Sequence, residues 1–172
     1  MVDFLILGPG NAIKYPDVMP LIIRGDIWFG TRKFTDAIAF MPGSTYDENL
    51  VSDDCKKEVD GQTYIEVNLI IWYTNIGERK WKPLEYRKTY SEEEYKKYDF
   101  FDAINIDDIR DIPDGYYGKM GVPVSFLEKW NPEEYEILGK GDAGRGGLDI
   151  FRPVVDGENK YVRILIRRKK DG

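Results

Sequence analysis

Five lysine and arginine side chains fall within the eight residues 163–170. Two more precede them in residues 139–147, where five of nine residues are glycine. Cations in such numbers favour contact with phosphate groups, because each one replaces a counterion of a nucleic acid backbone, although a basic segment can also serve only solubility. The candidate phosphate-contacting residues are Lys140, Arg145, Arg163, Arg167, Arg168, Lys169 and Lys170. Arg145 is the best candidate to enter a groove of a nucleic acid, because the surrounding glycines predict a flexible segment.

Aromatic and amide side chains mark the end of an apolar segment, Ile71-Trp72-Tyr73-Thr74-Asn75. Their plain structural interpretation is a buried core and a strand cap. Gly8-Pro9-Gly10 is a weak candidate for a nucleotide loop. A dinucleotide fingerprint needs a third glycine where Ile13 stands, and no Gly-Lys-Ser/Thr follows. A tight turn after a buried strand is the favoured interpretation of this segment.

Residue usage excludes most familiar catalytic centres. The chain has no histidine and one cysteine, Cys55. A Ser/His/Asp triad, a Cys/His dyad and a zinc site of His or paired Cys all need residues that are absent. An unpaired cysteine is consistent with a reducing compartment, and we interpret Cys55 as a thiol without a chemical role.

Aspartates are dense between residues 99 and 114, but their spacing matches no Ca²⁺ loop. We therefore expect a solvated acidic face and no metal. Pro113-Asp114 followed by Glu158-Asn159-Lys160 has the residue order of a Mg²⁺-dependent nuclease. We disfavour that interpretation, because residues 158 and 160 fall at a predicted hairpin tip and point into solvent.

The pattern of apolar residues predicts the elements that would position these groups. Residues 4–7 form an unbroken apolar run typical of a strand buried on both faces of a parallel sheet. A brief helix is predicted over residues 18–23 and short strands at 27–30 and 37–41. Residues 64–73 are the strongest strand candidate, and residues 44–61 are predicted to form a surface loop.

Further along the chain, Ser91 and Glu94 form a capping box that predicts a short helix over residues 92–98. Residues 125–130 are also predicted to be helical, and Asn131-Pro132 has the order of an N-cap and first-turn proline. We expect residues 139–147 to form a mobile loop. Residues 150–155 and 161–168 predict a C-terminal β-hairpin about Asp156-Gly157.

Length and composition favour a single α/β domain. The chain has 172 residues, 42% of them hydrophobic, which is enough for one substantial core. The formal charge of −6 argues against binding to nucleic acid by net charge alone. No apolar run approaches the roughly 20 residues that span a membrane, and no basic leader follows Met1. We expect a cytoplasmic protein without a membrane partner.

Residues 99–139 contain Asp99-Phe-Phe-Asp102, Gly115-Tyr-Tyr-Gly-Lys-Met-Gly121 and Leu127-Glu-Lys-Trp-Asn-Pro132. This stretch resembles a signature segment of the EcoRI-type adenine-specific DNA methyltransferases. The resemblance continues through Phe4-Leu-Ile-Leu-Gly-Pro-Gly-Asn-Ala12, Ile27-Trp-Phe-Gly30, Ile71-Trp-Tyr-Thr-Asn75 and Tyr161-Val-Arg-Ile-Leu-Ile-Arg-Arg-Lys169. It therefore covers nearly the whole chain.

The resemblance implies the C-terminal part of a Rossmann-like methyltransferase sheet in residues 1–76. It further implies a β-rich, DNA-contacting extension in residues 77–172. The family uses S-adenosylmethionine and double-stranded DNA, and it carries its cofactor-binding strand and an Asn-Pro-Pro-Phe motif upstream of the matched region. That motif does not occur here, since Asn131-Pro132 is followed by Glu133-Glu134. The resemblance implies a partner upstream half, without which this chain neither methylates DNA nor binds the cofactor.

An enzyme of this family extrudes the adenine, so its pocket needs an aromatic face and polar groups. The resemblance makes Trp72 or Tyr73 the stacking residue and Asn75 a polar neighbour, and it places Asn11 at the sheet edge where α/β proteins bind ligands. The alternative function is a non-catalytic module that keeps the fold of a methyltransferase tail and binds DNA or protein.

Overall fold

A computed structural model describes residues 2–30, 32–47, 50–77, 84–86, 88–142 and 149–170. The chain divides into two compact units, Met1–Glu78 and Arg79–Gly172, here called the first and second unit. The fold is mixed α/β, and strands predominate in both units.

The first unit holds two small antiparallel sheets. Its elements are β1 (Leu5–Pro9), α1 (Met19–Arg24), β2 (Trp28–Phe29), β3 (Ile38–Phe40), β4 (Lys56–Val59), β5 (Gln62–Val67) and β6 (Ile70–Thr74), with 3₁₀ helices at Gly10–Lys14 and Asp53–Cys55. The strand orders are β1-β6-β2 and β3-β5-β4. The predicted strands at residues 27–30 and 37–41 are thus confirmed by β2 and β3.

Helix α1 confirms the brief helix predicted over residues 18–23. It is short because Gly25 follows in the left-handed conformation, at φ 75°, and its N–H bonds the carbonyls of Leu21 and Ile22. Glycine adopts this conformation without steric cost, so it is a common helix terminator. The helix buries Met19 and Ile22 in the core of the first unit.

Strand β1 differs from its prediction. It pairs antiparallel with β6, from Leu5 opposite Thr74 to Pro9 opposite Ile70. Leu5 and Ile6 are 56% and 55% exposed, so neither face of the strand is covered at its first two residues, while Leu7 and Gly8 are half-buried. The prediction of a strand buried on both faces of a parallel sheet was therefore wrong, and the described residues supply β1 with a neighbouring strand on one side only.

The strand predicted at residues 64–73 is two strands, β5 and β6, which belong to different sheets. The break falls at Leu69, which has φ 57° and ends the extended conformation. The loop predicted at residues 44–61 was partly wrong, because β4 lies within it and pairs with β5.

The second unit is built around a six-stranded mixed sheet of order β11-β10-β14-β9-β8-β7. The strands are β7 (Lys97–Tyr98), β8 (Phe101–Asn105), β9 (Lys119–Pro123), β10 (Tyr135–Gly141), β11 (Asp149–Phe151), β12 (Val154–Val155), β13 (Glu158–Asn159) and β14 (Arg163–Arg168). Short 3₁₀ helices occur at Ile109–Asp111 and Val124–Glu128. The pair β12-β13 forms a separate two-stranded sheet.

Strand β14 is the centre of this sheet, with β9 and β10 antiparallel on either side. Its residues Ile164, Leu165 and Ile166 are at most 1% exposed. Because successive side chains alternate between faces, burial of three in a row means that both faces of the sheet are covered.

The predicted C-terminal hairpin is correct at its turn and wrong in its strands. Asp156-Gly157 joins β12 to β13, but these strands have only two residues each. The following strand, β14, pairs with β9 and β10 instead of residues 150–155. Between β9 and β10, both edges of β14 form backbone hydrogen bonds and its apolar side chains are buried. In a two-stranded hairpin one edge of the strand would lack a partner.

Two further expectations were wrong. The helix predicted over residues 92–98 does not form: residues 92–94 make a turn and residues 97–98 form β7, because the tight turn at Asp99-Phe100 returns the chain to pair with β8. Gly139 and Gly141 belong to β10 rather than to a loop. A Cβ at position 141 would lie 2.5 Å from the Phe151 ring, so glycine allows β10 and β11 to approach. Residues 143–148 lie outside the described residues.

Two other local predictions for the second unit were confirmed. The helical turn predicted at residues 125–130 is the 3₁₀ helix Val124–Glu128. The side-chain oxygen of Asn131 accepts the N–H of Glu133 at 3.0 Å, as expected of an N-cap.

Candidate base pocket and nucleic acid interface

Trp72 and Tyr73 are neighbours on β6, so their side chains point to opposite faces of the sheet. Tyr73 is 7% exposed and packs edge to face against Phe29, with ring centroids 5.7 Å apart. Its hydroxyl donates to the Pro9 carbonyl at 2.8 Å, and burial raises the pKa of that hydroxyl to about 12. Tyr73 is therefore a neutral core residue whose polar atom holds the end of β1. Trp72 is half-buried and packs against Gly30.

Asn75 uses both side-chain polar groups to hold the segment before β1. Its oxygen accepts the Phe4 N–H at 2.8 Å, and its nitrogen donates to the Val2 carbonyl at 3.0 Å. The Thr74 hydroxyl donates to the Phe4 carbonyl at 2.8 Å. Asn75 thus continues the β1-β6 pairing beyond its last residue pair, a role that its position after a strand did not reveal.

Asn11 lies at the other end of β1, exposed on the 3₁₀ helix Gly10–Lys14. The antiparallel register places Asn11 beyond the Ile70 end of the ladder and Asn75 beyond the Leu5 end. At about 3.3 Å per residue, the ladder separates the two by more than roughly 13 Å. The four candidate residues therefore do not line one pocket, although Tyr73 and Asn11 both lie near Pro9.

The turn at Gly8-Pro9-Gly10 makes a hydrogen bond within the protein. The Gly10 N–H donates to the Leu69 carbonyl at 2.6 Å, and a Cβ on Gly10 would lie 3.2 Å from the same oxygen. The glycine serves a close backbone approach. A loop that cradles a phosphate needs N–H groups directed at the ligand, so this turn does not fit a phosphate-binding loop.

The candidate phosphate contacts lie in the second unit, and two of them are buried. The Lys140 ammonium is 4% exposed and lies 2.6 Å from a carboxylate oxygen of Asp149, itself 12% exposed. The second carboxylate oxygen of Asp149 is buried without a hydrogen bond in the described structure. This ion pair joins β10 to β11, and it presents no positive charge to solvent.

Arg163 is also buried, with 6% of the residue exposed. Its guanidinium donates to Asp107 at 2.6 Å and to Asn105 at 3.2 Å. The Tyr98 hydroxyl donates to the same Asn105 oxygen at 3.0 Å. Burial alone would raise the pKa of Asp107, but hydrogen bonds involving Asn105 and Arg163, together with the charges of Arg163 and Lys160, lower it.

Arg168 is held by an ionic and aromatic cluster. Its guanidinium lies 2.8 Å from Asp114 and 3.3 Å from Glu134, and 4.8 Å from the centre of the Tyr86 ring. The Tyr86 hydroxyl bonds Glu134, and it lies 2.9 Å from that of Tyr135. Burial alone would lower the pKa of Arg168, but Asp114 and the cluster raise it, so the charge is retained.

The three remaining described cations near the C-terminal end of β14 are more open. Arg167 is exposed and donates to Glu136 at 2.6 Å. Lys169 and Lys170 are exposed, and the Lys169 N–H extends the pairing with β10 by bonding the Glu134 carbonyl at 2.8 Å. Arg145 lies outside the described residues.

The sequence analysis did not predict that aspartates of the second unit bind its basic side chains and turns. The carboxylate of Asp99 accepts the N–H groups of Asp156 and Gly157, at 2.9 and 2.8 Å, and so ties two hairpin turns together. Asp107, Asp114 and Asp149 each hold a basic side chain. The sequence does carry a signal for this pairing, because residues 79–172 contain nineteen basic and nineteen acidic residues.

A polar cleft of about 430 Å³ opens in the second unit beside Arg163. Amide, carboxylate and ammonium groups of this kind match the donors and acceptors on base edges. The cleft-lining residues that carry them include Lys96, Asn105, Asp107, Asp156, Glu158 and Lys160.

The residues of the possible Mg²⁺-dependent nuclease site, Asp114, Glu158 and Lys160, do not all come together in the structure. Asp114 is paired with Arg168, whereas Glu158 and Lys160 line the cleft. Within the described ranges, no group of three or more metal-binding side chains comes together. No helix among the described residues is both long and apolar enough to span a membrane.

Comparison with known proteins first gives a class, because the proteins that the chain resembles are methyltransferases. Residues 2–169 match the family described as adenine-specific methyltransferase EcoRI, and the chain belongs to that family.

Three curated relatives are type II methyltransferases. M.EcoRI of Escherichia coli is 35% identical over 170 residues, covering 97% of this chain and 50% of the relative. M.MpnI of Mycoplasma pneumoniae is 28% identical, covering 98% and 57%. M.MgeORF184P of Mycoplasma genitalium is 26% identical over the same shares. The chain spans about half the length of these relatives. No solved structure matches it significantly.

Proposed function

We propose that this chain is the C-terminal portion of an S-adenosylmethionine-dependent, adenine-specific DNA methyltransferase of a restriction-modification system. The observation that carries the proposal is the family match over residues 2–169. The intact enzyme transfers a methyl group to the amino nitrogen of adenine. In this proposal the first unit is the end of the Rossmann-like sheet of that enzyme.

Methyl transfer requires the upstream portion as a partner, because this chain contains no Asn-Pro-Pro-Phe motif. The cofactor supplies the methyl group when bound. We assign cofactor binding to the upstream portion, because the family carries its cofactor-binding strand there.

The second unit contributes DNA contacts in this proposal. The first unit has six basic and twelve acidic residues, so it carries the whole net charge of −6, and the second unit is neutral. A polyanion is repelled less by the second unit. Lys169 and Lys170 are the first candidates for phosphate contact because they are exposed. Arg167 can exchange Glu136 for a phosphate, while Lys140, Arg163 and Arg168 hold the sheet that carries these residues. Arg145 remains a candidate for groove insertion.

Trp72 is the better stacking candidate for the extruded adenine, since it is only half-buried while Tyr73 is in the core. Asn11 is the better polar candidate, because both polar groups of Asn75 are used within the protein. Replacing Trp72 by Ala should then reduce methyl transfer, and replacing it by Phe should preserve most of it.

The deciding experiment measures transfer of labelled methyl groups to DNA. The chain is mixed with the N-terminal portion of M.EcoRI that lies outside the match. We expect no transfer by either part alone and transfer by the mixture. A mixture that binds DNA without any transfer would favour the alternative, a non-catalytic DNA-binding module derived from a methyltransferase tail, which the missing motif also allows.

A salt titration tests the DNA contacts of the chain alone. Replacing Lys169 and Lys170 by Ala should reduce the slope of log affinity against log salt by about 2, since each phosphate contact contributes about 0.9. Lys56 and Lys57 of the first unit provide a matched pair of adjacent lysines, and replacing them should leave the slope unchanged. Equal slopes for both double variants would remove this surface from the proposal.

A further inference from the structure

Strand β1 has the sequence of an internal strand and the surroundings of an edge. Leu5 and Ile6 point to opposite faces of the sheet, and each is more than half exposed. Val2, which precedes the strand, is 85% exposed. Apolar surface on both faces of one strand is costly in water, and it marks a place where another part of the protein is expected to pack.

The backbone of β1 is open on the same side. In the order β1-β6-β2, β6 pairs with one side of β1, and the other side lacks a partner strand among the described residues. Proteins protect such edges with charges, prolines, bulges or very short strands. Residues 5–9 contain no charge, and their pairing with β6 runs without a bulge over five residues. The one proline, Pro9, is at the last residue pair, so residues 5–8 carry none of these protections.

The edge is also held in a fixed extended conformation. Asn75 bonds the backbone at Val2 and Phe4, and Thr74 bonds the carbonyl of Phe4. At the other end, the Tyr73 hydroxyl bonds the Pro9 carbonyl. The side chains of Tyr73, Thr74 and Asn75 thus hold both ends of residues 2–9, which lowers the conformational entropy that β1 would lose on pairing with a partner strand.

Resting on the proposed function, we propose that β1 is the docking strand for the upstream portion of the methyltransferase. A strand of that portion adds to the open edge of β1, and its apolar residues cover Leu5 and Ile6 on the two faces. Main-chain hydrogen bonds supply affinity in this arrangement, and alternate side chains supply specificity. Asn75 is a positioning residue for the interface.

The upstream portion is favoured as occupant by the comparison with relatives. The part of each relative that this chain does not match amounts to 43–50% of its length, and in the relatives it belongs to the same polypeptide. An apolar edge without a charge is typical of such a permanent contact and unsuited to a transient one.

The test measures binding of this chain to the N-terminal portion of M.EcoRI outside the match. We expect a 1:1 complex by light scattering and slowed amide exchange at residues 5–9. Ile6→Asp should weaken binding at least tenfold. Val59→Asp is the matched control, since Val59 is 52% exposed on edge strand β4 of the other sheet, and it should change binding less than twofold.

Three outcomes would overturn the proposal: no complex with the unaltered chain, a complex that Ile6→Asp leaves intact, or a self-association of this chain that Ile6→Asp abolishes. Asn75→Ala should weaken binding while the chain keeps its circular dichroism spectrum.

The methylation assay on the same mixture separates the two proposals. A complex without methyl transfer would contradict the proposed function but support the proposed interface. Methyl transfer that Ile6→Asp does not affect would leave the function standing and overturn the interface.

Discussion

The two units differ in how completely they bury their apolar side chains. Among the described residues, 19 of the 25 buried hydrophobic ones lie in the second unit, although that unit is only about a fifth longer than the first. Of the 15 exposed large hydrophobic residues among those described, 11 lie in the first unit. The second unit therefore has a core of its own. The first unit leaves more of its apolar side chains exposed, and this is the surface that the proposed docking of an upstream portion would cover.

Separating the two units should show the largest difference in stability between them. We expect residues 79–172 to unfold cooperatively in urea, because their six-stranded sheet is covered on both faces at its centre. Residues 1–78 alone should bind a hydrophobic dye and show no sharp transition. Circular dichroism and dye fluorescence check both statements. Cooperative unfolding of the first unit alone would break the comparison.

Removing the ammonium of Lys140 should strongly destabilise the second unit. Lys140→Met leaves the buried Asp149 carboxylate unpaired, which costs about 3–5 kcal/mol. Adding Asp149→Leu should recover most of the loss, because the uncompensated charge is then gone. Lys57→Met is the control in the first unit, where an exposed pair with Glu66 contributes less than about 1 kcal/mol. Urea unfolding gives the free energies, and equal effects at both sites would contradict the assignment.

Identical truncations in the two units sharpen the contrast. Ile166 is fully buried, so Ile166→Ala should cost about 2–5 kcal/mol of unfolding free energy. Ile6→Ala should change it by less than about 0.5 kcal/mol in the isolated chain, because the side chain is already exposed. In a complex with the upstream portion, Ile6→Ala should become measurably destabilising. A large effect of Ile6→Ala in the isolated chain would mean that β1 is covered by this chain itself.

The smallest expected effect concerns pH. The pKa of Asp107 is lowered from its usual 3.8, so its ionised form stabilises the folded second unit. That contribution is fully present above about pH 4 and is lost as the pH falls through the lowered pKa. Asp107→Asn should therefore reduce the stability difference between pH 6 and pH 3. An unchanged difference in thermal unfolding would show that the pair with Arg163 contributes nothing.

Local signals in the sequence predicted local structure well. Gly25 ends α1, Asn131 caps its turn, and Asp156-Gly157 forms a turn where the sequence places it. These features depend on interactions between residues that are close in the sequence, so a short stretch of sequence is enough to predict them.

The partners of those elements could not be predicted, because they are set by residues far apart in the chain. Arg163 meets Asp107 across 56 positions, and Asn75 holds Phe4 across 71. The basic cluster predicted phosphate contact from charge alone, whereas two of its members, Lys140 and Arg163, are buried and paired with carboxylates of the same unit. The family, by contrast, was recognised correctly, since its motifs extend along the whole chain.

Leu69 shows what the break between β5 and β6 implies for protein engineering. A leucine at φ 57° is strained by about 1–2 kcal/mol relative to a right-handed conformation, and its side chain is 63% exposed. Its carbonyl, not its side chain, makes the bond to Gly10. Asparagine tolerates the same dihedral angles and is soluble, so Leu69→Asn offers a more robust and less aggregation-prone chain for expression without disturbing either sheet.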